Sequence, residues 1–252
     1  MWPFSRKRRP ANVLILGGTE EARHLAESLT AMGVEHTLSL AGRTQDPPPT
    51  ETPTRIGGFG GIDGLADLLK SNGYTVLVDA THPFATVISP AARKAARMAR
   101  IPYLRLERPP WRPTGADRWI SAPNLKAAAD ALPGGANVLL TVGAGGLGPF
   151  LAREDLTLTA RTIEPPNLGE RTDVTVITAR GPFELDDERK LLANGDFDAL
   201  VSKNSGGEAT AAKLLAARER RLLVVMVERP RGQPRPNAAS VEEMLKRLQR
   251  YV

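Results

Sequence analysis

The stretch that decides the fold is VLILGGTEEA at residues 13–22. Its first four residues are apolar and favour a strand that is buried on both faces. Gly17 and Gly18 follow at once, and a segment of helical period begins at Glu20. A strand that runs through a glycine turn into a helix is typical of a parallel α/β sheet, and it presents backbone N–H groups to a phosphate.

The same alternation of short apolar runs and helical segments continues along the chain. The predicted strands are residues 13–16, 36–40, 75–78, 103–106, 138–142, 156–159, 174–178, 199–201 and 222–227. The predicted helices are residues 20–32, 62–69, 89–99, 125–132, 184–193, 208–219 and 241–249. We therefore predict an α/β protein of two Rossmann-like lobes, each a mostly parallel sheet flanked by helices, with the active-site cleft between them.

A proline-rich stretch at residues 109–113 predicts the domain boundary. We expect residues 1–10 to form a basic N-terminal tail, residues 11–113 a first Rossmann-like domain, and residues 114–252 a second α/β domain that completes the substrate cleft.

The two halves of the chain also share short motifs. Glu-Arg-Pro follows a predicted strand at residues 107–109 and again at residues 228–230, and a glycine-rich turn opens each half. An internal duplication and a chance match both stay open.

The composition is that of a folded protein without disulfides. Of the 252 residues, 41% are hydrophobic, 25% are charged and none is cysteine, which excludes disulfides, cysteine-ligated zinc and cysteine nucleophiles. The net charge of +6 falls to +2 without the four bases at residues 6–9, so we expect no nucleic-acid partner. No apolar run approaches the roughly 20 residues of a membrane span, so we expect no membrane partner and a cytoplasmic location.

The first glycine turn is the candidate cofactor site. Against the dinucleotide pattern G-x-G-x-x-[G/A] it keeps Gly17 and Ala22, but Thr19 replaces the middle glycine. Gly17, Gly18, Thr19 and Glu20 therefore either bind a pyrophosphate or simply form a tight turn.

The end of the second strand favours NADP over NAD. Residues 37–42 contain no acid, although an acid there usually binds the ribose hydroxyls of NAD. Arg43 and Thr44 follow instead, and a guanidinium suits a 2'-phosphate. Residues 11–113 would then be the NADP-binding domain. The alternative is that Arg43 is an ordinary surface arginine at the start of a loop.

Two further junctions follow predicted strands. Asp79-Ala80-Thr81-His82 places a carboxylate, a hydroxyl and an imidazole where open α/β sheets bind ligands, although Asp79 and Thr81 could instead cap the next helix. In the second half, Ser202-Lys203-Asn204-Ser205-Gly206-Gly207 precedes a predicted helix. Small residues around a lysine predict an anion cradle there.

Several familiar catalytic motifs are missing from the sequence. None of the tyrosines has a lysine four residues later, no phosphate loop or G-x-S-x-G elbow occurs, and no histidine pair has metal spacing. We therefore predict no metal site, and the residues favour a nucleotide-binding reductase.

Taken in order, four motifs resemble those of the precorrin-6A reductases of cobalamin biosynthesis. They are LGGTEEA at residues 16–22, DATHPFA at residues 79–85, Glu-Arg-Pro at residues 107–109 and SKNSGG at residues 202–207. The resemblance implies NADPH-dependent reduction of one double bond of precorrin-6A, giving precorrin-6B. The cobalt-containing macrocycle is the substrate of a related branch, and both substrates stay open.

The resemblance also implies roles for particular residues. A macrocycle edged with carboxylates needs cations, for which we select Arg108, Lys203 and Arg229, with Ser205 and Gly206 completing the cradle. Thr81 is assigned to the cofactor. Histidine is the side-chain type that ordinarily changes charge near neutral pH, so His82 is the candidate proton donor, with Lys203 or water as alternatives.

Two other classes of function stay open. A non-enzymatic NADP-sensing module would explain the missing acid–base pair, and a methyltransferase could use the glycine turns for S-adenosylmethionine. Arg43 and Thr44 disfavour the methyltransferase. The partner is expected to be a tetrapyrrole, and the protein a monomer that hands its product to neighbouring enzymes of the pathway.

Overall fold

In the computed structural model the described residues are 10–42 and 52–251. They divide into two compact units: the chain as far as Arg108 together with the segment from Arg231 onward, and residues Pro109–Pro230. Each unit contains one parallel sheet with helices, so the predicted α/β fold with two parallel sheets is confirmed. The predicted basic tail lies almost wholly outside the described residues.

The first unit is built on a sheet of order β3-β2-β1-β4-β5. Its elements are β1 (Asn12–Leu16), α1 (Glu20–Ala31), β2 (Glu35–Leu40), β3 (Thr54–Ile56), α2 (Gly61–Ser71), β4 (Val76–Asp79), α3 (Ile88–Ala99), β5 (Tyr103–Arg105) and, from the end of the chain, α8 (Val241–Leu248).

Both faces of this sheet are covered. Val13 and Ile15 pack in one core cluster with residues of α1 and α8, whereas Leu14 and Leu16 pack in another with residues of α2 and α3. Successive side chains of a strand point to opposite faces, which is why an uninterrupted apolar run forms the central strand.

The second unit has a sheet of order β6-β11-β10-β7-β8-β9. Its elements are β6 (Arg118–Ala122), α4 (Leu125–Asp130), β7 (Asn137–Thr141), a 3₁₀ turn (Ala144–Gly146), α5 (Gly148–Leu151), β8 (Thr157–Thr162), β9 (Thr175–Thr178), α6 (Leu185–Gly195), β10 (Ala199–Lys203), α7 (Ala212–Glu219) and β11 (Leu223–Val227). We call the edge at which the parallel strands of a sheet end its carboxyl edge.

The C-terminal segment corrects the predicted domain division. Residues from Arg231 onward were assigned to the second domain, but Met244 and Leu248 of α8 are buried in the first unit's core. The amphipathic pattern of α8 predicts a buried face, and it does not say which sheet will cover that face.

Each unit also pairs backbone from two distant parts of the chain at one edge of its sheet. After β5 the chain runs to β6, which pairs with β11 of the second unit. After β11 it returns, and Ala238 forms a parallel bridge with Leu106, next to β5. Asn237 adds two hydrogen bonds at this point, from Arg105 N to its side-chain oxygen and from its backbone N–H to Arg105 O, both at 2.8 Å.

Two strands, the short helix α5 and one helix start differ from the sequence predictions. β3 and β6 were not predicted; β3 is short, and β6 is an edge strand whose side chains are mostly exposed. α7 begins at Ala212 instead of residue 208, so the loop after Lys203 does not run directly into a helix.

Candidate functional site

The β1–α1 turn keeps the shape of a nucleotide-binding turn. A Cβ on Gly17 would lie 2.7 Å from Leu38 Cδ1, so any larger residue would have to displace that leucine side chain of β2. Gly18 has φ +109°, and no atom of the described residues lies within 4 Å of the position of a Cβ there. The turn therefore leaves open space beside its backbone, as close approach by a phosphate requires.

Thr19 and Glu20 are held differently from each other. The Thr19 hydroxyl accepts from Ala22 N at 3.2 Å, which caps α1, and donates to Ala80 O at 2.7 Å. The hydroxyl is thus used within the first unit, and the Thr19 carbonyl accepts from Arg23 N at 3.3 Å. Glu20 is half-exposed and lies 3.8 Å from Arg23 in a surface ion pair.

Arg43 and Thr44, which were predicted to bind a 2'-phosphate, lie outside the described residues. A different arginine that the sequence analysis missed, Arg55 of β3, donates to the Ser39 hydroxyl at the end of β2.

A buried polar network occupies the carboxyl edge of the first unit. Asp79, which is fully buried, accepts from Tyr103 Oη at 2.6 Å and from Arg105 Nη1 at 2.7 Å. Arg105 also donates to Glu107, from Nε at 3.0 Å and from Nη2. Burial opposes the charge on Arg105, but the two carboxylates outweigh it and raise its pKa. Burial, with Asp79 alongside, raises the pKa of Tyr103 well above its usual value.

Thr81 belongs to this network. Its backbone N–H and its hydroxyl both bind Asp79 Oδ1, at 3.1 and 2.7 Å, and the hydroxyl lies 3.1 Å from Ser89 Oγ. The alternative that Asp79 and Thr81 cap the next helix is wrong, because α3 begins at Ile88 and its N-cap, Val87, makes no side-chain cap.

His82 follows in the same loop and is half-buried. Its Nδ1 accepts from Phe84 N at 3.2 Å, so the proton of a neutral ring lies on Nε2. The ring centroids of His82 and Phe84 lie 5.7 Å apart. His82 is therefore oriented by its own loop, as a proton donor must be.

Arg108 is not isolated at the end of its strand. Its Nη1 donates to Glu21 Oε2 at 2.5 Å, in a partly buried ion pair. Glu21 belongs to the first glycine turn, so this pair ties the predicted substrate arginine to the predicted cofactor turn.

In the second unit Lys203 ends β10 and is half-buried. A Cβ on Gly146 would lie 3.5 Å from Lys203 Nζ, so the second glycine turn lies next to the ammonium group. Burial lowers the pKa of Lys203.

Ser205, Gly206 and Arg229 form one loop structure beside Lys203. Arg229 donates from Nε to Asn204 O at 2.9 Å and from Nη2 to Ser205 O at 3.1 Å. Gly206 has φ +67°, and a Cβ there would lie 2.0 Å from Pro109 O. The predicted cradle residues are thus brought together, with Arg229 supporting the loop backbone.

An open pocket of about 350 Å³ adjoins this loop within the second unit. Its lining includes Trp111, Trp119, Asn204, Glu228 and Arg229. The backbone N–H of Trp111 donates to Asn204 Oδ1 at 2.8 Å, and Asn204 Nδ2 donates to Trp111 O at 3.1 Å. The two tryptophans were not among the predicted site residues. Trp119 lies in β6, whose pairing with β11 was not predicted, and Trp111 is held by Asn204.

Among the described residues, no group of three or more His, Asp or Glu side chains could hold a metal ion. None of the helices in the described ranges is long and apolar enough to cross a membrane.

The parallel α/β units and the glycine turn define a Rossmann-type nucleotide-binding class of protein. Over residues 12–249 the chain matches the family described as Precorrin-6x reductase CbiJ/CobK, and it belongs to that family. The predicted family and reductase class are confirmed, and a reductase of this kind implies a nucleotide cofactor.

Individual relatives are similar over most of their length. A precorrin-6A reductase of Rhodococcus erythropolis is 44% identical over 220 residues, 86% of this chain and 89% of the relative. One of Rhodobacter capsulatus is 39% identical over 235 residues, 92% and 94%. The solved structure of CobK precorrin-6A reductase has a TM-score of 0.91 and 38% identity, covering 96% of this chain and 97% of the other.

Proposed function

We propose that this protein reduces one double bond of precorrin-6A to give precorrin-6B, with NADPH as the hydride donor. The observation that carries the proposal is the 39–44% identity to precorrin-6A reductases over most of both chains. Relatives named cobalt-precorrin-6A reductase are 27–29% identical. This difference supports the metal-free macrocycle as substrate.

The first unit fits a dinucleotide. Open space beside Gly18 and the adjoining start of α1 suit a pyrophosphate, which Gly17, Gly18, Thr19 and Glu20 would hold. Bound NADPH supplies a hydride to the substrate. Thr81 stays a predicted cofactor residue, although its hydroxyl is engaged by Asp79.

The choice of NADPH over NADH rests on Arg43 and Thr44, which follow β2 where NAD-binding folds usually carry an acid. We expect NADPH to bind at least about tenfold tighter than NADH, or about 1.4 kcal/mol, and Arg43→Ala to remove most of that preference. Calorimetry with both cofactors tests this choice, and equal affinities in the wild type would contradict it.

In the second unit Lys203 and its loop are proposed to bind carboxylates of the macrocycle. Lys203 supplies the charge, Ser205 and Gly206 the loop backbone, and Arg229 the support that shapes the loop. Arg108 of the first unit is proposed as a further cation.

Proton delivery is proposed for His82 or Lys203. A neutral His82 carries its proton on Nε2, because Nδ1 accepts from Phe84 N. His82→Gln should lower kcat more than it raises KM if His82 is the donor, whereas an unchanged kcat would leave Lys203 or water in that role.

The decisive experiment is anaerobic mixing of the purified protein with NADPH and precorrin-6A while the visible spectrum is followed. We expect one NADPH to be consumed per macrocycle reduced, and parallel runs with cobalt-precorrin-6A test the choice of substrate. Tight binding of NADPH without turnover would instead support the NADP-sensing module. Methyl transfer from S-adenosylmethionine would support a methyltransferase. The cytoplasmic location and the monomeric state stay predictions.

A further inference from the structure

Arg55 lies in the part of the first unit where a Rossmann-type sheet recognises the cofactor ribose. Strand β3 pairs with β2 so that Arg55 is opposite Ser39, and Ser39 in turn is opposite Leu16, the last residue of β1. In this type of fold the residue that contacts the ribose 2' position follows the end of β2. Arg55 thus lies one strand away from that position.

The guanidinium of Arg55 is fixed by several contacts. Nη1 donates to Ser39 Oγ at 3.2 Å and to Gly57 O at 2.7 Å, and Nη2 donates to Gly58 O. Its Cζ also lies 4.2 Å from the centroid of the Phe59 ring. A side chain held in this way has already lost the rotamer freedom that binding a ligand would otherwise cost.

These contacts leave one edge of the guanidinium for a ligand. The two glycine carbonyls take the terminal nitrogens. Among the residues 10–42 and 52–251, nothing accepts from Nε–H or from the second N–H of Nη2. That edge is the one with which arginine binds a phosphate through two parallel hydrogen bonds.

The backbone around Arg55 allows close approach. Gly57 has φ +120°, and within the part of the chain that the structure describes no atom lies within 4 Å of a Cβ placed on Gly57 or on Gly58. Ser39 adds a hydroxyl beside the guanidinium. The fixed guanidinium of Arg55, the Ser39 hydroxyl and the glycine backbone at residues 57 and 58 together suit the binding of a dianionic phosphate ester.

We propose that Arg55 is a specificity-determining residue that binds the 2'-phosphate of the cofactor. The inference rests on the proposed use of NADPH and adds Arg55 to Arg43. It also explains how the 2'-phosphate can be recognised from β3, a strand that the NAD-type pattern does not use.

Calorimetry with 2',5'-ADP and ADP tests this inference, because these ligands need no turnover and only the first carries a 2'-phosphate. We expect the wild type to bind 2',5'-ADP at least tenfold tighter than ADP. Arg55→Ala should reduce that ratio to below about threefold while the affinity for ADP changes less than about twofold. Arg55→Lys, which keeps the charge but not the fork, should give an intermediate ratio.

Arg97→Ala is the matched control, because Arg97 is an exposed arginine in the last turn of α3, away from β3; its ratio should equal that of the wild type. If Arg55→Ala unfolds the β3–α2 loop, the test uses Arg55→Gln, which keeps an amide to bind the glycine carbonyls. The ratio of its affinities for 2',5'-ADP and ADP should then also fall below about threefold.

The possible failures are distinguishable. A wild-type ratio near one would remove the proposed use of NADPH, and the role of Arg55 with it. A wild-type ratio of tenfold or more that survives in Arg55→Ala or Arg55→Gln would overturn the role of Arg55 alone. The role of Arg55 would also be overturned if Arg43→Ala by itself abolished the ratio while the Arg55 variants kept it.

Discussion

The two units share one strand order and differ in the chemistry at their carboxyl edges. The order β3-β2-β1-β4-β5 of the first sheet recurs as β9-β8-β7-β10-β11 in the second. A glycine with positive φ follows each central strand, Gly18 in the first unit and Gly143 in the second. The strand registers can therefore be compared position by position.

That comparison shows where the units diverge. Leu16 of β1 pairs with Asp79, and Thr141 of β7 pairs with Ser202. Asp79 is ion-paired to Arg105, whereas the strand partner of Ser202 is the uncharged Met226.

One residue further on, Ala80 of the first unit corresponds to Lys203 of the second. At this register the first unit pairs a buried aspartate with an arginine, whereas the second unit places a half-buried lysine one residue further on. Strand topology alone does not fix the charge at a sheet edge.

The largest expected effect tests the buried network. Asp79→Ala would leave Arg105 without one carboxylate and remove the acceptor of Tyr103 and Thr81. Breaking a buried ion pair in this way costs about 3–5 kcal/mol. Urea unfolding of the variant measures the loss.

Ser202→Ala is the matched control in the second unit. The Ser202 hydroxyl makes a long hydrogen bond of 3.4 Å to Lys203 O, so its removal should cost about 1 kcal/mol or less. Equal losses in the two variants would mean that the ion pair adds nothing to the stability of the first unit.

The next effect concerns Lys203. Lys203→Met should lower kcat/KM by about 10- to 150-fold, mainly through KM, because a charge-assisted hydrogen bond contributes roughly 1.5–3 kcal/mol. The melting temperature should not fall, because methionine fills the same space without a charge to desolvate. An unchanged KM would contradict substrate binding by this residue.

The pH dependence of Lys203 has a definite sign. Burial lowers its pKa, so the cation and the kcat/KM that depends on it are lost as the pH rises through a value below the usual 10.5. The free energy of unfolding changes in the opposite sense, because the folded state disfavours the charged form of Lys203. This cost is present at neutral pH. It disappears, and stability rises, as the pH increases from the lowered pKa to the usual value. Lys203→Met should abolish both changes between neutral pH and 10.5, and a basic limb unchanged in the variant would assign the titration to another group.

A smaller effect is expected at the first helix cap. By the register of the two units, Thr19 corresponds to Ala144, so Thr19→Ala gives the first turn the side chain found in the second. It removes the cap on Ala22 N and the bond to Ala80 O, which together should cost about 1–2 kcal/mol.

Asn124→Ala provides the comparison for the Thr19 cap. Asn124 caps α4 through Ala127 N at 2.8 Å, and its removal loses a cap without a second bond of the Thr19 type, so about 1 kcal/mol is expected. Urea unfolding of both variants should rank Thr19→Ala as the more damaging, and the reverse order would show that the link to Ala80 contributes nothing.

The sequence predicted most of the fold because the central strands are buried on both faces and are therefore continuously apolar. The predicted strands 13–16 and 222–227 agree with β1 and β11 to within one residue at either end. The edge strands β3 and β6 carry no such signal, since one side of each faces solvent and their residues are mixed.

The site was only partly predictable for a different reason. The sequence identifies cations after strand ends, but it does not say what each guanidinium already binds. Arg108 binds Glu21, and Arg229, which follows β11, binds carbonyls of the loop after β10. Arg55 was missed because its strand was missed, and the network around Asp79 depends on a register that only the folded sheet provides.

The smallest expected effect tests how firmly Arg108 is held by its carboxylate partner. The side chains of Arg108 and Glu21 are 16% and 22% exposed, so a double-mutant cycle with Arg108→Ala and Glu21→Gln should give a coupling of about 0.5–1 kcal/mol, the upper range for accessible pairs. A coupling near zero would indicate that Arg108 is not committed to Glu21 in solution and is available to a substrate carboxylate, as Lys203 is proposed to be. In that case Arg108→Ala should raise KM for precorrin-6A while Glu21→Gln leaves it unchanged. A strong coupling with equal effects of both variants on KM would instead assign Arg108 to holding the first glycine turn.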